Sequence, residues 1–438
     1  MLARIGELNT GTEIGESMKC WIEPDQVVSY LEPGMTVFVA GATAEPSEIL
    51  AALAKQGERC AGVHFISVSI PGMNGFDFSA LHPEATSTAF FATPENRASI
   101  ASGRTDFVPL QYSAIFDYLQ KDLKIDAVLA QLPPARDDVV SLGISADFLP
   151  AVLDKAGTVF AELNERQPIP ADAPGWPADT IDYAIACDKP VPVFHGQKPD
   201  AVAVAVGQRV AELINDSDCL QIGLGAIPAA VLDALTDKSD LGIHSGLIAD
   251  GVMALARSGN ITGRYKSQDP NKIVTCTTLG SEALIEWAGS TPDVAIRGVN
   301  HTHDVSVICQ IDNFVSINSA VEVDLFGQVS ADMLGGQQWT GPGGAVDMMR
   351  GAALSNGGRS IVALKATAAR SKKSRIVAAL DRGTAATACR TDIDFVVTEY
   401  GARHIRHLST AARAAALIEI AAPEFRDQLH DEWLALRN

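Results

Sequence analysis

No run of about 18 apolar residues occurs in the chain, so nothing in it reads as a transmembrane helix and no membrane partner is expected. Residues Met1 to Ser17 mix Arg4, Glu7, Glu13 and Glu16 with glycines and lack the apolar stretch of a secretory signal, so the expected setting is cytoplasmic. Cysteine is sparse. The seven stand at 20, 60, 187, 219, 276, 309 and 389, an odd total with no Cys-x-x-Cys pair, which argues for reduced thiols and against a disulfide framework or a cysteine zinc site. Positive charge is scarce as well: 34 Lys and Arg stand against 53 Asp and Glu, a net charge of -19. That balance excludes nucleic acid as the expected partner. It leaves room for a small polyanionic ligand, which backbone amides and a few local cations can hold inside an acidic protein. Short-period repeats and low-complexity tracts are absent.

What remains is the composition of a globular protein, 47% hydrophobic and 20% charged over 438 residues. That length exceeds one ordinary core and predicts two domains. Strand-like runs at Thr36–Ala40, Val63–Ser69, Ala127–Leu132, Thr158–Leu163, Cys219–Ile222, Lys272–Cys276, Phe314–Ile317, Ile361–Leu364 and Phe395–Thr398 alternate with helical stretches. The latter are Pro46–Lys55, Ser145–Lys155, Ala201–Leu213, Pro228–Leu235 and Ser409–Ile420. The alternation predicts an α/β fold with largely parallel sheets. The stretch Cys187–Asp200 carries three prolines and a glycine and reads as a linker. It sets the expected domains at 1–190 and 200–438.

Gln221 to Val231 reads as a strand, a glycine turn and a helix with Pro228 in its first turn, where a missing N–H costs nothing. Glycines let a backbone approach a ligand, and the free amides of a helix start suit a phosphate or carbonyl oxygen. A tight turn that binds nothing is the plain alternative. A second glycine segment, Gly335-Gly336 then Gly341 to Gly344, offers amides for an oxyanion hole, or is a surface loop. Glu322 and Asp324 lie two apart on a strand-like run and share a face. They suit acid–base work or hydrogen bonding to loop amides. Asn300 to Asp304, with His301 and His303, lacks a further ligand at metal-binding spacing, so no metal is expected. His244 is a candidate base or a structural hydrogen-bonder at a strand end. Glu399 ends an apolar strand, where open α/β folds place ligands, or is a buried structural carboxylate. Arg264, Lys266 and Lys272 form a basic cluster that either steers a phosphorylated ligand or is a solvated loop.

Taken in order along the chain, these segments resemble the acetyl-CoA hydrolase/transferase family, which includes acetate and 4-hydroxybutyrate CoA-transferases. The residues that carry the resemblance run nearly end to end. In the first half they are Phe78-Ser79-Ala80-Leu81-His82-Pro83, Leu132-Pro133-Pro134, Ser141-Leu142-Gly143 and Glu162-Leu163-Asn164. In the second they are Gly223–Pro228, Gly242-Ile243-His244-Ser245, Asp250-Gly251, Ser316 to Ala320 running into Glu322–Gln328, Gly343-Gly344, Arg350-Gly351-Ala352, Gly357-Gly358-Arg359, Val397–Gly401 and Pro423 to Arg426. The resemblance implies two open α/β domains with the active site between them, coenzyme A or acyl-CoA as substrate beside a carboxylic acid, and a homodimer or larger assembly. It assigns Gly223, Leu224, Gly225, Ala226, Ile227 and Ala320 to the CoA site, and Gly343 and Gly344 to a loop whose amides face the acyl oxygen. Flavin and nicotinamide cofactors are not expected.

The resemblance also implies a glutamate nucleophile that attacks the thioester and then carries CoA as a glutamyl thioester. In this sequence that slot, between Ser245 and Leu247, holds Gly246. Lys365 stands where proline is common, and Arg403, His404 and His407 look unusual; such residues would make the pocket cationic if they face it. Three readings follow. The chain is a CoA-transferase or acyl-CoA hydrolase without the usual glutamyl-CoA, its base or nucleophile moved to Glu322, His244 or Glu399. Alternatively, it cleaves a carbon–carbon bond of a β-keto acid or β-keto acyl-CoA in the same pocket. The third reading is an inactive CoA-binding subunit or an inactivated variant.

Overall fold

The computed structural model describes residues 20–368 and 373–437. The stretch Met1 to Ser17 lies outside them. Two parallel sheets organise the chain. The first contains β1 (Thr36–Val39), β2 (His64–Ser67), β3 (Thr86–Ala89), β4 (Thr105–Phe107), β5 (Ala127–Leu132), β6 (Thr158–Asn164) and β7 (Tyr183–Cys187), in the order β4-β3-β2-β1-β5-β6-β7. The second contains β8 (Cys219–Ile222), β9 (Gly242–Ile248), β10 (Ile273–Thr278), β11 (Val294–Ile296), β12 (Phe314–Ser319), β13 (Arg359–Ala363), β14 (Phe395–Thr398) and β15 (Gly401–His404), in the order β11-β10-β9-β8-β12-β13-β14-β15. Only the edge pair β14–β15 is antiparallel. Apart from that added strand, the two sheets share one wiring. Each builds outward on one side of its first strand and then crosses to the other side.

Strands buried on both faces read as unbroken apolar runs. All six residues of β5 are buried, as are all six of β10, and this is why such segments are visible as strands in the sequence. The helices carry ordinary end signals. Ser47–Lys55 buries Ile49, Leu50, Ala52 and Leu53 on one face and places Glu48 in its first turn and Lys55 in its last, matching the helix dipole. Ala201–Ala211 begins at Asp200, whose carboxylate accepts the Ala203 amide at 2.9 Å.

One expected helix is largely absent. Ser145–Lys155 is helical only at Leu149–Val152. Its first residues are instead drawn across to the second sheet, where Ser145 bridges Thr277, Ala146 N donates to Cys276 O at 3.0 Å and Thr278 N donates to Ile144 O at 3.0 Å. Tertiary hydrogen bonding there overrides local propensity. A second seam contact joins Asp172 to Ile296 and Arg297. The apolar core is accordingly shared, one cluster running from Phe38 in the first sheet to Val397 in the second.

Candidate functional site

In open α/β sheets, ligands bind beyond the strand C-termini where the strand order reverses. In the second sheet that point lies between β8 and β12. Gly223, Leu224 and Gly225 leave β8 there, and Ala320 leaves β12. Gly225 has φ +121°, a conformation open in practice to glycine alone, and it opens helix α2 (Ala226–Asp233) with Pro228 in the first turn. A side-chain carbon added at Gly223 would meet no heavy atom within 4 Å. Leu224 and Leu247 pack with Ala42, Ile70 and Met73 of the first half and with Leu279, so the crevice lies where the two halves face each other.

The strand registers place Gly246 level with this loop, since Leu220 pairs with Ile243. Gly246 lies inside β9, flanked by the pairs Ser245–Thr275 and Leu247–Thr277. The Cys276 thiol donates to its carbonyl at 2.7 Å. A Cβ built on Gly246 would stand 2.5 Å from His303 Cε1 and 2.7 Å from His303 Nε2. Thus the place of a side chain at 246 is already filled by an imidazole. That imidazole comes from the residue after helical turn α3 (Val299–Thr302), which lies over the His244–Gly246 face of β9.

The second glycine segment separates into two parts. Gly335 and Gly336, at φ +58° and +75°, form the turn of a small hairpin between Met333–Leu334 and Gln337–Gln338, as such tight turns require. Gly343 and Gly344 lead into helix α4 (Ala345–Leu354), with Gly344 as its N-cap. The Gly343 carbonyl accepts the amide of Tyr112, the first residue of α1 (Tyr112–Asp117), at 3.2 Å. Ser113 donates through its hydroxyl at 2.7 Å and its amide at 3.1 Å to Asp347 on α4. These bonds aim the α4 N-terminus at the seam, where its unpaired amides favour negative charge.

The other predicted residues are placed as follows. His244 is fully buried in mid-strand rather than at a strand end. Its Nε2 sits 3.1 Å from Thr302 O, its Nδ1 has no hydrogen-bond partner among the described residues, and burial, with Lys266 and His301 adding, holds it well below the usual histidine range. His244, Asp269 and His301 bring potential ligand atoms within 4.8 Å of one another. Lys266 is buried beside them, its ammonium on Ile243 O at 2.9 Å and Lys272 O at 2.8 Å. Glu322 lies beyond the end of β12 in a three-stranded sheet with Val329–Ser330 and Ile376–Val377. Burial raises its carboxyl, Asp381 adds to this, and Arg375 and Lys373 oppose it. Asp324 on the same strand is structural: it accepts the amides of Phe326 and Gln328 at 3.1 and 2.8 Å. Glu399 accepts the Ala366 amide at 2.8 Å.

The unusual cations do not gather at the crevice. Lys365 pairs with Asp200 at 2.6 Å, Arg403 with Glu419 at 2.9 Å, and His404 stacks on Phe395. Arg264 pairs with Asp240, and Lys272 with Asp172 at 3.2 Å, so two of the three residues of the basic cluster serve internal ion pairs and Lys266 serves backbone carbonyls. Sequence reasoning missed Tyr112, Asp147, Cys276 and Glu45. Asp147 is buried at φ +39°; burial raises its carboxyl to about 7, against an opposing Cys276 hydrogen bond. Glu45 is also raised to about 7 by burial, opposed by Asn74. Neither stood out: Asp147 is a lone acid in an apolar stretch, and Glu45 precedes a second acid, Glu48, at a helix start. The one local signal was Cys276 at the end of the strand-like run Lys272–Cys276.

A crevice of backbone amides between two parallel sheets, at the switch point of one of them, is the class of site that holds phosphates and an acyl carbonyl. The chain belongs to the acetyl-CoA hydrolase/transferase family: its N-terminal domain matches over residues 15–195 and its C-terminal domain over 280–433. It is an enzyme of this CoA-transferase and hydrolase group. It is 36% identical over 414 residues to the 4-hydroxybutyrate coenzyme A transferase of Clostridium kluyveri, covering 94% of this chain and 96% of that one. It is 36% identical over 344 residues to the butyryl-CoA:acetate CoA-transferase of Anaerostipes caccae, covering 76% and 77%. Among solved structures, RipA from Yersinia pestis superposes with a TM-score of 0.89 at 28% identity, covering 95% of this chain and 97% of that one. The 4-hydroxybutyrate CoA-transferase of Porphyromonas gingivalis gives 0.78 at 30%, covering 95% and 98%.

Proposed function

We propose that the protein exchanges coenzyme A between short acyl-CoA thioesters and carboxylic acids without a glutamyl-CoA intermediate. One observation carries this reading: the slot the family resemblance assigns to the nucleophile is Gly246, and His303 fills the volume of the missing side chain. The amides of Gly223 to Ile227, with Ala320 beside them, serve as the CoA loop, and Gly343, Gly344 and the start of α4 face the acyl oxygen. In this site the acceptor carboxylate attacks the thioester carbonyl directly. The C–S bond breaks, giving a mixed anhydride and CoA thiolate. The thiolate then attacks the acceptor's carbonyl, and the original acid leaves as its carboxylate. Water in place of the acceptor gives hydrolysis. Relatives named for 4-hydroxybutyrate, butyrate and acetate support a short-chain acid as the substrate class. We place the working protein in the cytoplasm as a dimer or larger assembly.

The test uses acetyl-, butyryl- and succinyl-CoA with isotopically labelled acetate. Label should enter acetyl-CoA, while borohydride leaves activity unchanged and intact mass shows no protein-bound CoA. Borohydride inactivation with a CoA adduct on the protein would sink the proposal.

A further inference from the structure

Gly246 and Gly344 belong to different elements, yet a Cβ on either would run into the same side chain, that of His303. The two glycines together make the seat of one imidazole. The ring is 3% exposed and lies against Tyr112, centroids 4.8 Å apart. Its Nδ1 is 2.9 Å from Thr302 Oγ1. Its Nε2 is among the nearest atoms to a Cβ built on either glycine, so it is the ring nitrogen turned toward both. The Thr302 hydroxyl has the Gly298 carbonyl at 3.4 Å as its other acceptor; when it gives its one proton to the nearer Nδ1, the ring of a neutral histidine carries its proton on Nε2. That N–H is then directed to the junction of Gly246 with the α4 N-terminus.

We propose that His303 is a further catalytic residue, a neutral imidazole whose Nε2–H hydrogen-bonds the carbonyl oxygen of the reacting acyl group. This rests on the reading of the crevice as an acyl-CoA site. Together with the first amides of α4, the N–H stabilises the oxygen as negative charge develops on it, and it keeps its proton throughout. A charged imidazolium cannot play this part, because burial lowers the ring to about 3. The titratable groups on the surrounding elements are Tyr112 on α1, Asp147 and Cys276 at the seam, Asp304 next in the chain and Asp347 on α4. Tyr112 and Cys276 are held protonated, since burial pushes both well above their usual ranges. Burial likewise raises Asp147 and Asp347, which limits the negative charge near the ring that would favour imidazolium.

Wild type, His303→Ala and His303→Asn full-length chains test this, with acetyl-CoA binding by calorimetry and CoA exchange as separate readouts. The wild type should bind acetyl-CoA. The alanine variant should lose about 100-fold in kcat with little change in KM, as expected for a donor acting on the transition state. Asparagine, which returns an N–H, should recover about tenfold or more of that loss. In ¹⁵N-histidine NMR of the wild type, the signal missing from the asparagine variant should be a neutral, Nε2-protonated ring from pH 5 to 8. A proton on Nδ1, protonation within that range, or an alanine variant with wild-type kcat overturns the assignment while leaving the CoA-exchange reading intact. A wild type that does not bind acetyl-CoA overturns both. If the alanine variant does not fold, the wild-type NMR and the asparagine variant decide.

Discussion

The two halves share a strand order and use its turning point in opposite ways. After β1, Gly41 to Ala44 are buried. Asn74 accepts the Ala42 amide at 2.9 Å, and a Cβ on Gly41 would strike the Val68 carbonyl. After β8, the equivalent loop is only partly covered, and Gly223 has empty space where a Cβ would go. One half closes its switch point to make a wall, and the other leaves its own open as a cradle. The closed half also carries the three carboxyls that burial pushes up to about 7: Glu45, Asp147 and Glu162. A shared topology therefore supplies two candidate crevices, and local glycine packing closes one and leaves the other open.

The largest expected effect tests the cost of the closed wall. Below about pH 3, Asp147 is protonated in both folded and unfolded chains. As pH rises toward its folded value of about 7, the unfolded chain ionises first, so stability falls and then levels off above 7. The full span corresponds to about 4 kcal/mol, an order-of-magnitude figure. Chemical denaturation from pH 4 to 8 should show Asp147→Asn losing much less stability than wild type; parallel curves would remove the cost from Asp147.

Next come the paired glycines. Gly41→Ala forces a carbon into a backbone carbonyl and should destabilise by about 3 kcal/mol. Gly223→Ala should leave stability within about 0.5 kcal/mol of wild type while weakening CoA binding. Thermal melts and CoA titrations read both, and equal destabilisation would dissolve the distinction between wall and cradle. Smaller than the Gly41 effect is that of Gly246→Ala, about 2 kcal/mol from overpacking against His303, which His303→Ala in the same chain should relieve. Additive losses in that double-mutant cycle would deny the contact.

Much of the fold was legible because parallel strands buried on both faces are written as plain apolar runs. Ala127–Leu132, Cys219–Ile222 and Phe395–Thr398 have the bounds expected from sequence. Short strands with polar residues, such as Thr86–Ala89 and Thr105–Phe107, lacked that signal. Ser145–Lys155 misled because its hydrophobic spacing fits a helix, while its backbone hydrogen bonds go to a strand more than a hundred residues away. At the candidate site, the glycine loops were visible as spacing, and Gly246 as a departure from the pattern that the resemblance implies. The tenant of the gap was not, because His303 reaches Gly246 through the fold, from 57 positions along the chain. The neighbouring histidines at 301 and 303 read as a failed metal motif, whereas their register over β9 sends one to a hydrogen bond with Asp269 and the other into the pocket.

The segment Ile144 to Asp147 has a mechanical consequence. By hydrogen-bonding into β10 it acts as a rivet between halves whose covalent tether is the proline-rich stretch 188–199. Cutting that tether would leave the rivet and the common core in place, so the two pieces should stay together as one particle. Opening of the crevice is then the work of its rim loops, because a hinge between the halves would have to shear a strand-like joint at its own floor.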